Sequence, residues 1–537
     1  MPADEALPHS APNPSALAPL RNPVFRMLWL AWLAANVTMW MNDVAAAWLM
    51  TSLTDSVMMV ALVQAASTLP VFVLGLPSGA LADIVDRRLY FASTQLWVAL
   101  VAVVLGTLAL ADGLTAPILL ALTFANGIGM AMRWPVFAAI VPEVVPREQL
   151  TGALALNGIA MNMSRVIGPV VAGALLAGAG SQYVFLINAL LSITAFTLIL
   201  RWRSQRRVSA LPGERFVGAM RVGIQHVLQA PRMRVVLLRI FLFFLQSTSL
   251  TALLPLVARR LGGGGAGTFT VLLASMGAGA VCTALLLPRL RQNLGRDDFV
   301  RWGTGLHAAM SVVVALAPSV WLAIPAMALA GVAWISTANS LTLAAQLALP
   351  NWVRARGMSI YQMALMGGSA SGAALWGQVA SVTSVRTSLI CAALLGPLML
   401  LATRRWSIGG GADDDHSPAR PGSAPEPAEP IDPDAGPVMV TVEYFIDVHD
   451  APGFHAVMQE TRRARLRQGA LSWGLFRDTA VPGRYIEYFL DESWVEHQRR
   501  LERFTIADAG LRERRLAFHR KAEPPQVQRF VGESFQN

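Results

Sequence analysis

The chain is poor in charge, and poorest in acid. Only 14% of its residues are charged while 54% are hydrophobic, and a soluble chain of this size needs roughly twice that charge to cover its surface. Between Val24 and Thr403 there are ten acidic residues in all. Lysine is almost absent, Lys521 being the only one. No Gly-x4-Gly-Lys-Ser/Thr loop occurs, which excludes an ATP-driven phosphate-loop mechanism. The two cysteines, Cys282 and Cys391, lie within apolar runs and lack metal-ligand spacing. They carry no disulfide, redox or zinc argument and read as two buried small hydrophobes. Before Arg21 no short apolar run ends at a small-residue cleavage site, so no cleaved signal peptide is expected. No cofactor or metal site is expected anywhere.

What is present is a series of long apolar runs. Each is long enough to cross about 30 Å of hydrocarbon, and in lipid a helix is the only form for a single run that satisfies its own backbone. The runs predict twelve spans near 25–50, 57–81, 89–111, 115–140, 152–178, 182–201, 234–258, 267–288, 300–317, 320–345, 356–378 and 384–403. Arginine gathers on one side of them: Arg87 and Arg88, Arg147, the group from Arg201 to Arg221, Arg289, Arg291 and Arg296, Arg354 and Arg356, and Arg404 and Arg405. That side is expected to be cytoplasmic, with both termini inside the bacterial inner membrane. Arg259 and Arg260 are the exception on the other side. The net charge of +10 therefore reads as a set of topology signals, not as a nucleic-acid footprint.

The expected organisation is a disordered tail over 1–23, a six-helix bundle over 24–201, a basic central loop over 202–233, a second six-helix bundle over 234–405, an acidic Pro-rich linker over 406–437 and a soluble domain over 438–537. Two bundles of six are what pseudo-repeats packed around a midplane cavity require. After the linker the period changes. Residues from Val438 alternate as a strand, Pro452 to Arg467 have helical spacing, and Ser472–Phe476 and Tyr485–Leu490 are again extended. A second helix is expected to start at the cap Ser493, with a further helical stretch and a strand near Val527–Val531. That is the β-α-β-β-α-β, ferredoxin-like order of a small α+β domain.

Few residues carry chemistry. Asp43 is the only carboxylate inside a predicted span, beside Asn42 and Trp40. It is a candidate to carry a coupling proton, in competition with Arg165 for an ion pair; alternatively the helix ends earlier and Asp43 reaches the outer interface. Arg165 sits mid-span, where an unpaired charge costs on the order of 3 kcal/mol, and is a candidate anion-binding or coupling residue. Arg133 either joins a gate network with Asp83 or Glu143 or snorkels to the interface. His307 and Arg239 read as interfacial.

The loop Gly79-Ala-Leu-Ala-Asp83-Ile-Val-Asp86-Arg87-Arg88 resembles the loop signature of the major facilitator superfamily, with Asp86 where that family usually has Gly. Asn162-Met-Ser-Arg165-Val-Ile-Gly168-Pro169-Val-Val-Ala-Gly173 resembles the Gly-Pro signature of its antiporters. Together with Leu62-Val-Gln-Ala-Ala-Ser-Thr-Leu-Pro, Pro350-Asn-Trp-Val-Arg354-Ala-Arg356-Gly and Ser493-Trp-Val-Glu-His497-Gln, these residues are similar to the branch that holds the enterobactin exporter and the transmembrane secretion effectors. The resemblance implies a twelve-helix major-facilitator fold and proton-driven efflux of a siderophore-like or drug-like molecule. It also implies a gate built on Gly79, Asp83, Arg87 and Arg88, and a bendable fifth helix at Gly168, Pro169 and Gly173. The tail resembles the antibiotic-biosynthesis monooxygenase domains, which implies dimerisation through an open sheet face and a pocket at Trp473, Trp494 and His497. No acid-base constellation accompanies these, so the tail reads as a binding or regulatory module. A membrane-anchored enzyme or a sensor, with the tail acting on or binding a small molecule, is the alternative. The expected partners are lipid, a small-molecule substrate and protons, with no nucleic acid.

Overall fold

The computed structural model of the chain describes residues 17–146, 149–202, 216–261, 265–290, 295–350, 352–409, 419 and 427–533. Of the residues singled out above, Asp83, Asn162, Arg289 and Arg296 are described by their backbone only, and Arg147, Arg203, Arg206, Arg207, Arg215 and Arg291 lie outside the described residues.

The first bundle comprises α1 (Pro23–Leu53), α2 (Val57–Ile84), α3 (Arg87–Leu110), α4 (Ala116–Val144), α5 (Leu150–Gly178) and α6 (Ser181–Arg201). Helix α7 (Phe216–Gln229) follows, and then the second bundle: α8 (Pro231–Arg260), α9 (Ala266–Leu290), α10 (Arg296–Leu316), α11 (Val320–Leu347), α12 (Arg354–Val382) and α13 (Val385–Ala402). The helix starts are written locally. Asn22 accepts from the amides of Val24 and Phe25 with Pro23 at the first helical position, Ser56 caps α2, and Ser384 caps α13, each satisfying amides that a helix N-terminus leaves free.

Among the described residues, eleven helices are long and apolar enough to cross a membrane. Their outward faces carry Leu100, Leu190, Leu394 and Leu401, all exposed, which only a lipid solvent accommodates. The expected twelfth, α12, is long enough, but Gly and Ser dilute its apolar content. The reason lies in its packing. A side chain at Gly368 or Gly372 would strike the backbone of Phe241 or Leu245 on α8, and one at Gly377 would meet Ala61 on α2. Small residues here let three helices approach closely, at the expense of hydropathy.

The two bundles repeat one packing pattern. In the first, α1 packs on α5 and α6, α2 on α4, and α3 on α4 and α6; in the second, α8 packs on α12 and α13, α9 on α11, and α10 on α11 and α13. The seams between bundles, α2 with α12 and α5 with α9, are exchanged by the same correspondence. This is the arrangement of pseudo-repeats around a central axis.

Within the predicted central loop, α7 is a structured amphipathic helix that packs on α2 and α12 on one side and on the C-terminal domain on the other. That domain holds β1 (Val438–Phe445), α14 (Ala451–Arg467), β2 (Ser472–Arg477), β3 (Arg484–Asp491), α15 (Trp494–Glu502), α16 (Ile506–Leu516) and β4 (Val527–Val531). Its sheet runs β2-β3-β1-β4, all neighbours antiparallel, as the ferredoxin-like reading requires. Val438, Val440, Val442 and Tyr444 of β1 turn inward beneath the helices, and the alternate positions form the opposite, more open face. Both cysteines are free and exposed on helix surfaces, correcting the expectation that they are buried. Small thiols facing lipid need no polar partner.

Candidate functional site

The loop between α2 and α3 is built from three charged groups. Asp86 caps α3, its carboxylate accepting from the amides of Arg88 at 2.9 Å and Leu89 at 3.2 Å. Its φ of −55° is ordinary, so the residue that stands in place of Gly serves as a cap and no strained turn is needed. Arg87 pairs with Glu143 at the end of α4 at 2.5 Å, and Arg88 donates to the carbonyl of Leu200 at the end of α6. The signature therefore ties three helix ends of one bundle together. Gly79 lies in the last turns of α2, and the backbone of Asp83 one turn further on.

Arg133 belongs to a different place. It is buried, donates to the carbonyl of Ala35 at 3.0 Å and lies over the ring of Trp32 at 5.6 Å. Glu143 is taken by Arg87, so Arg133 is not part of a network with it. Asp43 lies well inside α1, which continues to Leu53, so it does not sit at a helix end. Among the described residues no direct ion pair joins it to Arg133 or to Arg165, and Arg165 makes its contacts elsewhere. One carboxylate oxygen of Asp43 and both polar atoms of Asn42 are buried without a protein partner there.

Arg165 contacts rings instead of acids. Its guanidinium carbon lies 4.3 Å from the ring centre of Trp334 on α11 and 5.4 Å from that of Trp40 on α1. Around it, the Gly-Pro signature makes two close approaches. A side chain at Gly168 would strike Trp40 on α1, and one at Gly173 would strike Thr270 on α9 in the other bundle; Pro169 lies inside the same helix.

Two of the charges read as interfacial are buried instead. His307 is fully buried and not interfacial, with Gln246 at 3.2 Å and Ser311 at 3.4 Å from its Nδ1. Arg239 is also buried, pairing with Asp297 at 2.6 Å and donating to the carbonyls of Thr403 at 3.2 Å and Trp406 at 2.5 Å. Asp297 falls in the first turn of α10, just before the predicted span. The exceptional Arg259 and Arg260 donate to the carbonyls of Thr51 at the end of α1 and Ala315 at the end of α10. A cation at a helix C-terminus is favoured by the free carbonyls there, which accounts for arginine on the poorly charged side.

In the tail, Glu487 is fully buried. Burial opposes its charge, but Arg465 at 2.9 Å and the nearby Arg515 hold its carboxyl down at about 2. Trp473 donates to the same carboxylate at 3.1 Å. His497 donates through Nδ1 to the carboxylate of Asp491 at 2.8 Å, accepts at Nε2 from Arg529 at 3.3 Å, and lies 5.4 Å from the ring of Trp494. Burial pushes the His497 imidazole below its usual range, with Asp491 partly opposing. The three expected pocket residues are thus committed to the tail's own core and ionic network. A cavity of about 510 Å³ beside the tail lies elsewhere, between α14, α16 and the junction of α7 with α8.

The family model for transmembrane secretion effectors matches residues 14–536. The chain belongs to that family. Among curated relatives, this family member is 24% identical over 265 residues to the staphyloferrin A transporter of Staphylococcus aureus (strain NCTC 8325 / PS 47), covering 48% of the chain and 64% of the relative. It is 26% identical over 176 residues to the macrolide efflux protein A of Streptococcus pyogenes, covering 33% and 42%. The alignments thus span less than two thirds of these relatives' own lengths. Among solved structures, a mutant of the nucleoside transporter NupG superposes with a TM-score of 0.60 at 11% identity, covering 71% of the chain and 99% of NupG. A mutant of the E. coli fucose:proton symporter FucP superposes with a TM-score of 0.51 at 15% identity, covering 71% and 98%. These likenesses establish the fold, a multi-pass major-facilitator bundle, and every protein named here is a transporter rather than an enzyme.

Proposed function

We propose that this secretion effector is a proton-coupled secondary exporter, moving a siderophore-like or drug-like small molecule across the bacterial inner membrane by alternating access. In this reading α12 crosses the membrane as the twelfth span and both termini face the cytoplasm. The observation that carries it is Asp43. A carboxylate at membrane depth, with one oxygen buried and no direct ion pair among the described residues, can gain and lose a proton as the bundles rock. The efflux named for the macrolide relative supports the direction of transport, and the arginine asymmetry supports the orientation. The open sheet face of the tail would pair with a second copy.

The test is efflux of a siderophore and drug panel from a deletion strain carrying the wild-type chain, with and without an uncoupler. Collapse of the gradient is expected to abolish efflux, and Asp43→Asn to abolish its dependence on the gradient, with Arg133→Gln impairing the same step. Full gradient dependence in Asp43→Asn would remove the coupling assignment. Absence of flux for the whole panel would remove the exporter.

A further inference from the structure

Three arginines lie deep in the helical part of the chain, and the protein treats them differently. Arg239 has a carboxylate and two carbonyls. Arg133 has the carbonyl of Ala35. Arg165 has neither: Nε and Nη1 are buried without a protein partner among the described residues, and what surrounds the guanidinium is the pair of indoles of Trp334 and Trp40. Stacking a guanidinium on aromatic faces offsets only part of what a charge at this depth costs. The deficit calls for an anion.

The position says which anion. Arg165 and Trp40 stand on α5 and α1 of the first bundle, and Trp334 on α11 of the second, so the charge spans the seam that must open and close during transport. Two buried donors suit a compact acid, since charge-assisted bonds to a carboxylate are the strongest that a guanidinium makes. The two indole walls suit a flat apolar group beside that acid. We propose that Arg165, with Trp40 and Trp334, is the substrate's anion-binding site, and that the cargo is a small organic anion carrying a carboxylate, or an equally compact acid, next to a planar apolar portion. The inference rests on the exporter reading above and deepens it. Cargo in this site replaces part of the contact between Arg165 and Trp334, so its arrival loosens one tie between the bundles.

Two measurements test the site. Tryptophan fluorescence of the purified full-length protein is titrated with benzoate and with its neutral counterpart benzamide. Benzoate is expected to bind saturably and at least about tenfold more tightly than benzamide, Arg165→Gln to lose that preference, and Arg165→Lys and Trp334→Leu each to weaken benzoate by about tenfold. Equal binding of the two probes, or benzoate binding unchanged in Arg165→Lys and Trp334→Leu, overturns the proposal, and these milder variants decide it if Arg165→Gln does not fold. In cells, acids and their amides are compared as cargo. Gradient-driven efflux of the amides but not of the acids sinks the anion site and leaves the exporter standing. Anion-selective binding without any flux keeps the site and removes the exporter.

Discussion

Nη2 of Arg221 on α7 lies 2.5 Å from Oε2 of Glu492, just before α15, joining positions 271 residues apart. Around this pair Gln225 donates to the carbonyl of Ala470 at 2.8 Å, His226 meets the carbonyl of Arg467 at 3.1 Å, and Arg503 lies over the ring of Trp352 at 4.9 Å. The same α7 is pressed against α12, where Gly223 leaves room for the side chain of Arg356. The tail therefore touches the helical part through a helix that itself rests on both bundles, and directly at Trp352.

The charge pair at this seam is about one third exposed on both sides, so salt screens it and its contribution is on the order of 0.5 kcal/mol. Arg221→Glu is expected to loosen docking slightly and Arg221→Glu with Glu492→Arg to restore it. Arg503→Ala, which also removes the bond to the carbonyl of Gln468 at 2.9 Å, is expected to loosen it more. Disulfide trapping between cysteines placed on α7 and α14, at low and high salt, reads the difference.

Close helix approach at α5 makes a sharper prediction. A methyl group at Gly173 has no room beside Thr270, whereas one at Gly158 in the same helix meets nothing within 4 Å. Gly173→Ala should destabilise the α5–α9 seam by about 1–3 kcal/mol and depress efflux, while Gly158→Ala is close to neutral. Thermal unfolding in detergent, alongside efflux, separates the two.

Acid should unfold the tail in two stages. His497 is held below the usual 6.5, so the folded state resists its protonation and stability falls as pH drops below that value. Glu487, lowered from 4.5 to about 2, contributes stability that is complete above 4.5 and lost as pH falls toward 2. The Glu487 contribution is on the order of 3 kcal/mol. Hydrogen exchange of peptides from 438–491, corrected for its intrinsic pH dependence, should show protection falling across both windows; Glu487→Gln should remove the lower one from an already weakened tail.

Phe476 and Phe530 are 60% and 45% exposed on the open face of the sheet, with Phe476 stacked on Tyr488 at 5.5 Å. Pairing of two tails through this face predicts a dimer that Phe476→Asp with Phe530→Asp converts to monomer. Light scattering of the detergent-solubilised chain is the measure; an unchanged mass would rule the face out.

Much of this was legible residue by residue. Ser493 followed by Trp494 and Glu496 announces a capped helix, and α15 starts there with Ser493 accepting from the amide of Glu496. The alternation from Val438 announces β1, because a sheet covered on one face writes its burial with period two. At the site, Asp43, Arg133 and Arg165 were visible as charges in apolar runs, since each is costly enough to stand out. Trp334, Gln246 and Asp297 were not. An aromatic or an amide in a span has many neutral uses, and Asp297 lies at a helix end where acids are common.

The sequence by itself determined which runs form helices long and apolar enough to cross a bilayer and where the chain becomes a sheet. Run length must match hydrocarbon thickness, and backbone groups must be satisfied within each segment, so these features are local. Tertiary structure alone decided the partners: Arg133 meets the carbonyl of Ala35, Arg165 meets Trp334 of the other bundle, Arg259 caps α1, and α7 carries the tail. Such pairings depend on how each helix is rotated about its axis and how deep it sits against its neighbour, and hydrophobic periodicity specifies neither across hundreds of residues.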